Sequence, residues 1–339
     1  MDRQVAMQGQ SLVETATPVA PRLSSVARRR QIREKLIAGF ITVMAFTGIA
    51  ALVLILVFVA KEALALFLEE EARKEASLSK MFLPQVVRAG KPAAFVWQPV
   101  SSVPKVSMIP LFIGTLKTTL VSMVVAVPVG VAGALFAAEF APRKLREVLK
   151  PTIELLAGIP SVVLGFFALM VLASFMQDTF GLSSRLNAVV AGLGLSLAIV
   201  PVIFTVAEDA LTSVPRSYRE ASLALGATPW ETAWKVVLPA AAPGILAACV
   251  LGFGRAIGET MIVLMASGNA AIVSASLSDS VRSMSATIAA EMGEVVVGSP
   301  HYSLLFFIGV ELFLFTFILN MLANVWTRKV LKRLSGAGA

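Results

Sequence analysis

Six long apolar runs follow one another along the chain, separated by shorter polar segments. Each run has about 18 residues or more, which is the length that a helix needs to cross roughly 30 Å of hydrocarbon. The pattern predicts an all-α, polytopic membrane protein with six transmembrane helices. Because the first run is long and follows a polar leader, we interpret it as an uncleaved helix rather than a signal sequence. The runs cover residues 36–60, 109–138, 153–177, 188–207, 241–266 and 303–326.

The composition of the chain agrees with this pattern. Of its 339 residues, 57% are hydrophobic and 15% are charged, and the mean hydropathy is +0.82. The chain has one cysteine, Cys249, and one histidine, His301. These counts exclude an intramolecular disulfide and any metal site built from several cysteines or histidines, so we expect no metal centre. They also leave little scope for a histidine-based catalytic triad, and we expect a transport subunit rather than an enzyme.

Lysine and arginine concentrate in alternate segments between the apolar runs. With the N-terminus placed in the cytoplasm, the inside segments hold 18 of them and the outside segments hold 9. This bias predicts that both termini and the segment 208–239 are cytoplasmic, in a bacterial cell (inner) membrane. The net charge of +8 is explained by lipid head groups, and we expect no nucleic-acid partner.

The same pattern predicts three parts of the chain. Residues 1–35 form a polar cytoplasmic tail, and residues 36–106 form the first transmembrane helix with an external polar segment. Residues 107–335 form a core of five helices, with a cytoplasmic hairpin at 208–239.

The hairpin carries its own helix signals. Pro215 suits the first turn of a helix, and Gly226 ends that helix. Thr228-Pro-Trp-Glu231 has the form of a capping box, which starts a second helix. The spacing predicts one common side for four residues of the second helix and an end at Leu238-Pro239, before the next transmembrane helix begins at 241. The four residues are Trp230, Ala233, Trp234 and Val237.

Three interpretations of this hairpin remain open from the residues alone. It is an ordinary loop with tryptophans in the lipid head groups, a DNA-binding element, or a docking element for a soluble partner. DNA binding is disfavoured because three basic residues face four acidic ones, and phosphate contacts need a positive surface. The acidic residues are Glu208, Asp209, Glu220 and Glu231.

The spacing of the hairpin resembles a known motif. Glu220-Ala221, then Gly226 and then Val236-x-Leu238-Pro239 are similar to the EAA loop of ABC importer permeases, with Ser222 and Val236 in place of the usual alanine and isoleucine. The stretches FVWQP (95–99), IPLFIGTLKTTLVSMVVAVPVGV (109–131), IELLAGIPSVVLGFFAL (153–169) and LGFGRAIGETMIV (251–263) resemble the phosphate-specific permeases, and GETM resembles their C-type. The likeness covers roughly residues 90 to 335.

This resemblance implies a MetI-like, type I ABC importer permease for inorganic phosphate. It implies four kinds of neighbour: a second homologous permease, two ATPase subunits, an external phosphate-binding protein and the lipid bilayer. The chain contains no G-x-x-x-x-G-K-[ST] phosphate loop, so we expect ATP and Mg to be bound by the ATPase and no cofactor by this chain. The residues that the resemblance assigns to ATPase coupling are Glu220, Ala221, Gly226, Trp230, Trp234, Leu238 and Pro239.

Charged residues within the apolar runs point to the transport path. An ionised group at the centre of a membrane helix costs about 2.5–3.5 kcal/mol on insertion scales, so each needs a partner or water. Arg255 and Glu259 are predicted to lie one turn apart on one helix face, in a glycine-rich run, either as an ion pair between helices or as contacts of the substrate. We assign both to the substrate path. The other charges in or near the runs are Lys117, Glu154 and Glu311.

Other functions remain open. A permease for sulfate, molybdate or phosphonate would share the hairpin. A secondary transporter needs no ATPase and gives the hairpin no role. An intramembrane enzyme is disfavoured because no acid–base group of residues is evident.

Overall fold

The computed structural model describes residues 25–70, 73, 76–86, 93–101 and 103–334. Most of the predicted tail 1–35 therefore lies outside the described residues. Within the described part, six helical segments are long and apolar enough to cross a membrane, which confirms the predicted all-α, six-helix class. These spans are Arg29–Leu68, Ile109–Phe140, Ser161–Phe180, Ala188–Thr212, Pro229–Gly258 and Pro300–Lys329.

The chain divides into two units, Met1–Val57 and Phe58–Ala339. The described part of the first unit is the beginning of helix α1, and the second unit holds all the other elements. In chain order the helices are α1 (Ser25–Leu68), α2 (Leu78–Phe82), α3 (Ile109–Leu135), α4 (Arg143–Ala157), α5 (Ser161–Phe167), α6 (Ala173–Phe180), α7 (Ala188–Thr212), α8 (Arg216–Ala224), α9 (Pro229–Thr232), α10 (Leu238–Gly258), α11 (Met261–Ala266), α12 (Met284–Glu291) and α13 (Pro300–Leu334). Two short strands, β1 (Trp97–Gln98) and β2 (Lys105–Val106), pair antiparallel before α3.

Three helices continue through π-helical turns of five residues each. Phe136–Phe140 extends α3, Ala168–Leu172 joins α5 to α6, and Ala233–Val237 joins α9 to α10. The spans therefore run longer than the α-helices alone.

The main core of the second unit lies where α3 and α10 pack on α7. Ile203 of α7 is fully buried between two glycines, Gly130 of α3 and Gly252 of α10. A Cβ at Gly130 would lie 2.9 Å from Ile203 Cγ2, and a Cβ at Gly252 would lie 2.8 Å from Ile203 Cγ1. Glycine is needed at both positions because only its bare backbone lets the helices approach this closely.

A second core joins the segment that follows the first span to the last part of the chain. Leu66 of α1, Met81 of α2 and Trp97 of β1 are buried in one cluster with Met284 of α12 and Leu304 of α13. The predicted external polar segment is thus packed against α12 and α13 through its buried apolar side chains.

The third span begins later than predicted. Residues 153–157 belong to α4, and the span begins at Ser161. Pro160, in a non-helical conformation (φ −58°, ψ 137°), separates the two helices. The residue before a proline is biased away from the helical region, which explains the break.

The fifth span differs from the prediction at both ends. The second hairpin helix does not close at Leu238-Pro239, because α9 continues through the π-helical turn into α10. Pro239 follows the π-helical turn within two residues, at a place where the regular α-helical hydrogen-bond pattern is already interrupted. At the other end the helix stops at Gly258, and α11 begins at Met261, so the apolar run 241–266 is not one helix.

Candidate functional site

The first hairpin helix, α8, ends in a Schellman motif at Gly226. This residue has φ +86°, the left-handed conformation that glycine adopts without strain. The Gly226 amide donates to the Leu223 carbonyl at 3.0 Å, and the Ala227 amide donates to the Ser222 carbonyl at 3.3 Å. The predicted helix end at Gly226 is therefore confirmed.

The predicted capping box is also present. The Glu231 amide donates to Thr228 Oγ1 at 3.2 Å, and the Thr228 amide donates to Glu231 Oε2 at 3.0 Å. The two helices are joined by a hydrogen bond of 2.9 Å between the buried hydroxyls of Ser222 and Thr232. Three local devices thus give the turn between α8 and α9 a defined shape.

The hairpin residues assigned to coupling lie in two different environments. Glu220, Ala221 and Gly226 are exposed around α8 and the turn, beside Leu225, which is 90% exposed. A partner can reach this surface. Leu238 and Pro239 lie in the first turn of α10, where Leu238 is half-buried and Pro239 is exposed.

The two tryptophans face an apolar groove. Their rings stack with centroids 6.0 Å apart, and Trp230 also lies 5.7 Å from the ring of Phe140. Together with apolar residues of α3 and α10 they line a groove of about 890 Å³. Ala233 and Val237 are fully buried instead, so the prediction of one common side for all four residues is wrong. The π-helical turn Ala233–Val237 changes the spacing on which that prediction depends.

Arg219 is one of the three basic residues of the hairpin, with Arg216 and Lys235, and its partners give it a further role. Its guanidinium contacts both carboxylate oxygens of Glu139, with Nη2 2.6 Å from Oε1. It also donates to the carbonyls of Val214 and Leu211 at 2.6 and 2.9 Å. Glu139 lies 80 residues before Arg219, and local sequence patterns do not reveal such a pair.

Two acidic residues that were counted with the hairpin belong to α7. Glu208 is buried and pairs with Arg146 and with Lys150, whose Nζ lies 2.8 Å from Glu208 Oε2. Lys150 also lies 2.9 Å from Asp209. Hydrogen bonds to Glu208 and Asp209 raise the pKa of the Lys150 ammonium. This network holds α4 against the last turns of α7.

Arg255 and Glu259 do not lie on one helix face. Arg255 is exposed in the last turn of α10, whereas Glu259 follows the helix end in an extended conformation (φ −69°, ψ 129°). Among the ion pairs of the described residues, none joins the two. The Ser285 hydroxyl of α12 donates to the Glu259 carbonyl at 2.8 Å. The prediction that the two residues lie one turn apart on one helix face is therefore wrong. Arg255 lies at the end of α10, and Glu259 lies in the break between α10 and α11.

The other charges in or near the spans have separate environments. Lys117 of α3 donates to the carbonyl of Ser276 at 2.8 Å, in the loop between α11 and α12. Glu311 of α13 has a buried carboxylate oxygen without a hydrogen-bond partner in the described part of the chain. Glu154 lies on α4, outside the spans.

Glu291, at the end of α12, is the centre of a second polar group that the sequence analysis missed. Arg282 Nη1 lies 2.6 Å and His301 Nε2 lies 2.9 Å from its carboxylate, and Arg282 also donates to Asn269 at 2.8 Å. Arg282, Glu291 and His301 border a cleft of about 820 Å³ together with Trp97. Arg282 and His301 lie 9 and 10 residues from Glu291, which is beyond the spacing of one helical turn, so no local motif signals this group.

Comparisons with known proteins agree with this architecture. Residues 130–336 match the family described as "Binding-protein-dependent transport system inner membrane component". The chain is 37% identical over 309 residues to the "Probable ABC transporter permease protein YqgH" of Bacillus subtilis (strain 168), covering 90% of this chain and 94% of that protein. It is 34% identical over 253 residues to the "Phosphate transport system permease protein PstC" of Mesorhizobium japonicum, covering 69% and 76%.

A solved structure is similar in fold. It is a bacterial alginate ABC transporter in complex with an alginate pentasaccharide-bound periplasmic protein, with a TM-score of 0.57. The match covers 89% of this chain and 97% of that chain at 15% identity. The likeness extends over most of the described helices.

Proposed function

Because the chain belongs to the family of binding-protein-dependent transport system inner membrane components, we propose that it is the permease subunit of an ATP-driven importer of inorganic phosphate. The family makes it a multi-pass membrane subunit of an ABC transporter. The choice of phosphate is supported by the relative named as a phosphate transport system permease, which is 34% identical to the chain. It is supported further by the resemblance of GETM at 258–261 to the C-type phosphate permease.

The observation that carries the coupling part of the proposal is the shape of the hairpin between the fourth and fifth spans. The α8 helix ends in the Schellman motif at Gly226 and presents Glu220, Ala221 and Leu225 to solvent. A short rigid helix with exposed side chains suits insertion into a groove of a partner. We propose that the partner is an ATPase, which binds ATP and Mg, and that this chain binds no cofactor.

The two tryptophans contribute to coupling indirectly in this proposal. Trp230 and Trp234 line an apolar groove next to residues of two spans, which suits the level of the lipid head groups. They anchor the base of the hairpin, while α8 and the turn at Gly226 form the docking surface. Leu238 and Pro239 continue that base into α10.

Arg255 supports a path at the exposed face of α10. Its side chain is exposed on a span, where an ionised group needs water or a partner rather than contact with lipid. The face is therefore better explained by water or by a second protein. We propose that a second, homologous permease covers this face and that Arg255 and Glu259 line the path between the two subunits.

The complete importer in this proposal has a second permease, two ATPase subunits and an external phosphate-binding protein. Both termini and the hairpin lie in the cytoplasm of a bacterial cell. A permease for another oxyanion such as sulfate, molybdate or phosphonate is the alternative, because the hairpin does not depend on the anion. A secondary transporter is disfavoured, since it leaves a capped, exposed hairpin without a role.

The test is uptake by the assembled system in vesicles. The chain is expressed with the second permease and the ATPase from the same genome, and labelled phosphate is offered with its binding protein. We expect uptake that requires ATP and is not inhibited by excess sulfate. Uptake without ATP would contradict the ABC mechanism, and inhibition by sulfate would favour the alternative substrate.

A further inference from the structure

The guanidinium of Arg219 connects three parts of the fold. Arg219 lies on α8, the helix that is proposed to dock the ATPase. Its Nε lies 3.1 Å from both carboxylate oxygens of Glu139, at the end of the second span. Its Nη1 and Nη2 donate to the carbonyls of Val214 and Leu211, at the end of the fourth span. One side chain thus joins the docking helix to the ends of two membrane spans.

The chemistry of arginine suits this position. The carbonyls near a helix C-terminus have no partners within the helix, and a cation there satisfies them and interacts favourably with the helix dipole. The planar fork of donors can bind a carboxylate at the same time, which a lysine ammonium does with less directional precision. The side chains of Arg219 and Glu139 are 21% and 11% exposed, so water screens their contact only weakly.

The rest of α8 is not tied to the spans by charge. Among the described residues, the ion pair between Arg219 and Glu139 is the one that involves α8. Arg216 and Glu220, the other charged residues of α8, form no ion pair within this part of the chain. The other side-chain hydrogen bond of α8 is the one between the hydroxyls of Ser222 and Thr232, within the hairpin. A displacement of α8 therefore reaches the second and fourth spans through Arg219 more directly than through any other polar contact described.

We propose that Arg219 is a positioning residue that transmits movement of α8 to the ends of the second and fourth spans, with Glu139 as its anchor. This inference rests on the proposed docking of an ATPase at the hairpin. It assigns to Arg219 a role in coupling hydrolysis to transport, which is separate from holding the ATPase.

The experiment measures phosphate uptake and ATP hydrolysis together in vesicles that contain the whole importer. The variants are Arg219→Gln, Glu139→Gln and Arg219→Lys, and the matched control is Arg216→Gln, which removes the same charge from the same helix. Because both variants remove the contact between α8 and the two spans, we expect phosphate transported per ATP to fall severalfold in Arg219→Gln and Glu139→Gln. We expect Arg216→Gln to keep the wild-type ratio and all variants to co-purify with the ATPase.

Different results separate this inference from the proposed function. A wild-type ratio in Arg219→Gln overturns the role of Arg219 even if the importer works as proposed. A wild-type chain that does not co-purify with the ATPase overturns the proposed function instead. If Arg219→Gln is missing from the membrane, Arg219→Lys decides, because it keeps the charge and loses the fork: an unchanged ratio there also overturns the inference, and a lowered ratio supports it.

Discussion

The indole Nε1 of Trp97 donates hydrogen bonds to both carboxylate oxygens of Glu291, at 3.0 and 3.3 Å. The two residues are 194 positions apart in the chain. The contact joins strand β1, in the segment after the first span, to the end of α12. Since Arg282 and His301 contact the same carboxylate, Glu291 holds together elements from both ends of the second unit.

The first prediction concerns the pH dependence of this contact. Burial acts to raise the pKa of the Glu291 carboxyl, but the hydrogen bonds from His301 and Trp97 and the charge of Arg282 outweigh it and lower the pKa below its ordinary 4.5. The ionised form is therefore favoured by folding, and its contribution is complete above pH 4.5 and lost as the pH falls through the lower folded pKa. We expect Glu291→Gln to lower the free energy of unfolding by about 1–3 kcal/mol at neutral pH and by less in acid.

The measurement is thermal unfolding of the purified chain in detergent, from neutral pH down to below the ordinary carboxyl pKa of 4.5. Glu294→Gln is the control, because Glu294 borders the same cleft and its side chain has no hydrogen bond or ion pair in the described structure. A difference between wild type and Glu291→Gln that stays constant into acid would contradict the assignment of the pH dependence to this carboxyl.

Local features of the fold could be predicted from the sequence. The end of α8 at Gly226 and the capping box at Thr228 depend on residues within a few positions of one another, and both are present. The apolar runs likewise predicted six spans because hydrocarbon thickness sets a minimum length. Such features need no knowledge of the tertiary structure.

Helix boundaries inside apolar runs could not be predicted in the same way. The run through 241–266 remains apolar across Glu259, yet the helix ends at Gly258. The break is supported by a hydrogen bond from Ser285 on another helix. The pair of Arg219 and Glu139 could not be predicted for a similar reason: it depends on tertiary structure, because only the packing of α8 beside the second span brings the two side chains together.

The second prediction concerns Gly226. A Cβ there meets nothing within 4 Å, so the cost of a substitution comes from its φ of +86° alone. We expect Gly226→Val to strain the turn by about 1–3 kcal/mol and Gly226→Asn to strain it less, because asparagine tolerates this conformation better. Co-purification with the ATPase and phosphate uptake should both fall in the order wild type, Asn, Val.

The control for Gly226 is Gly293→Val. A Cβ at Gly293 also meets nothing within 4 Å, but that residue does not have a positive φ. We expect this variant to keep wild-type association and uptake. Full ATPase association in Gly226→Val would show that the shape of the turn does not matter for docking.

The third prediction concerns orientation in the membrane. The bias of 18 to 9 basic residues predicts that the hairpin is cytoplasmic. Reporter fusions after Lys150 and after Ala227 should therefore score as cytoplasmic, and fusions after Gly181 and after Gly293 should score as external. A fusion after Ala227 is preferred to one after Pro239, because Pro239 lies within the continuous helix. An external score at Ala227 would remove the docking surface from the reach of an ATPase.

The geometry at the end of α10 suggests how a phosphate could be distinguished from a sulfate. A phosphate ion at neutral pH carries at least one proton, whereas a sulfate ion carries none. An arginine attracts either anion through its fork of donors. A carboxylate such as Glu259 can accept a hydrogen bond from a protonated phosphate oxygen but repels sulfate. Arg255 and Glu259 flank the helix end at Gly258, and Ser285 holds the Glu259 backbone on the side of α12.

The last prediction follows from this difference. We expect Arg255→Gln to abolish or strongly reduce uptake, because no other basic residue lies on α10. In Glu259→Gln the loss of one charge-assisted hydrogen bond should weaken the binding of phosphate in the path by about 1.5–3 kcal/mol. Phosphate uptake should therefore fall, and sulfate should become a stronger competitor. The measurement is uptake of labelled phosphate at increasing sulfate, with Glu154→Gln as the control because Glu154 is exposed on α4, outside the spans.

Leaky uptake with unchanged selectivity in Glu259→Gln would mean that the carboxylate acts as a gate rather than as a contact of the substrate. Wild-type uptake and selectivity would exclude both roles, because a carboxylate that neither contacts the anion nor closes the path has no part in transport.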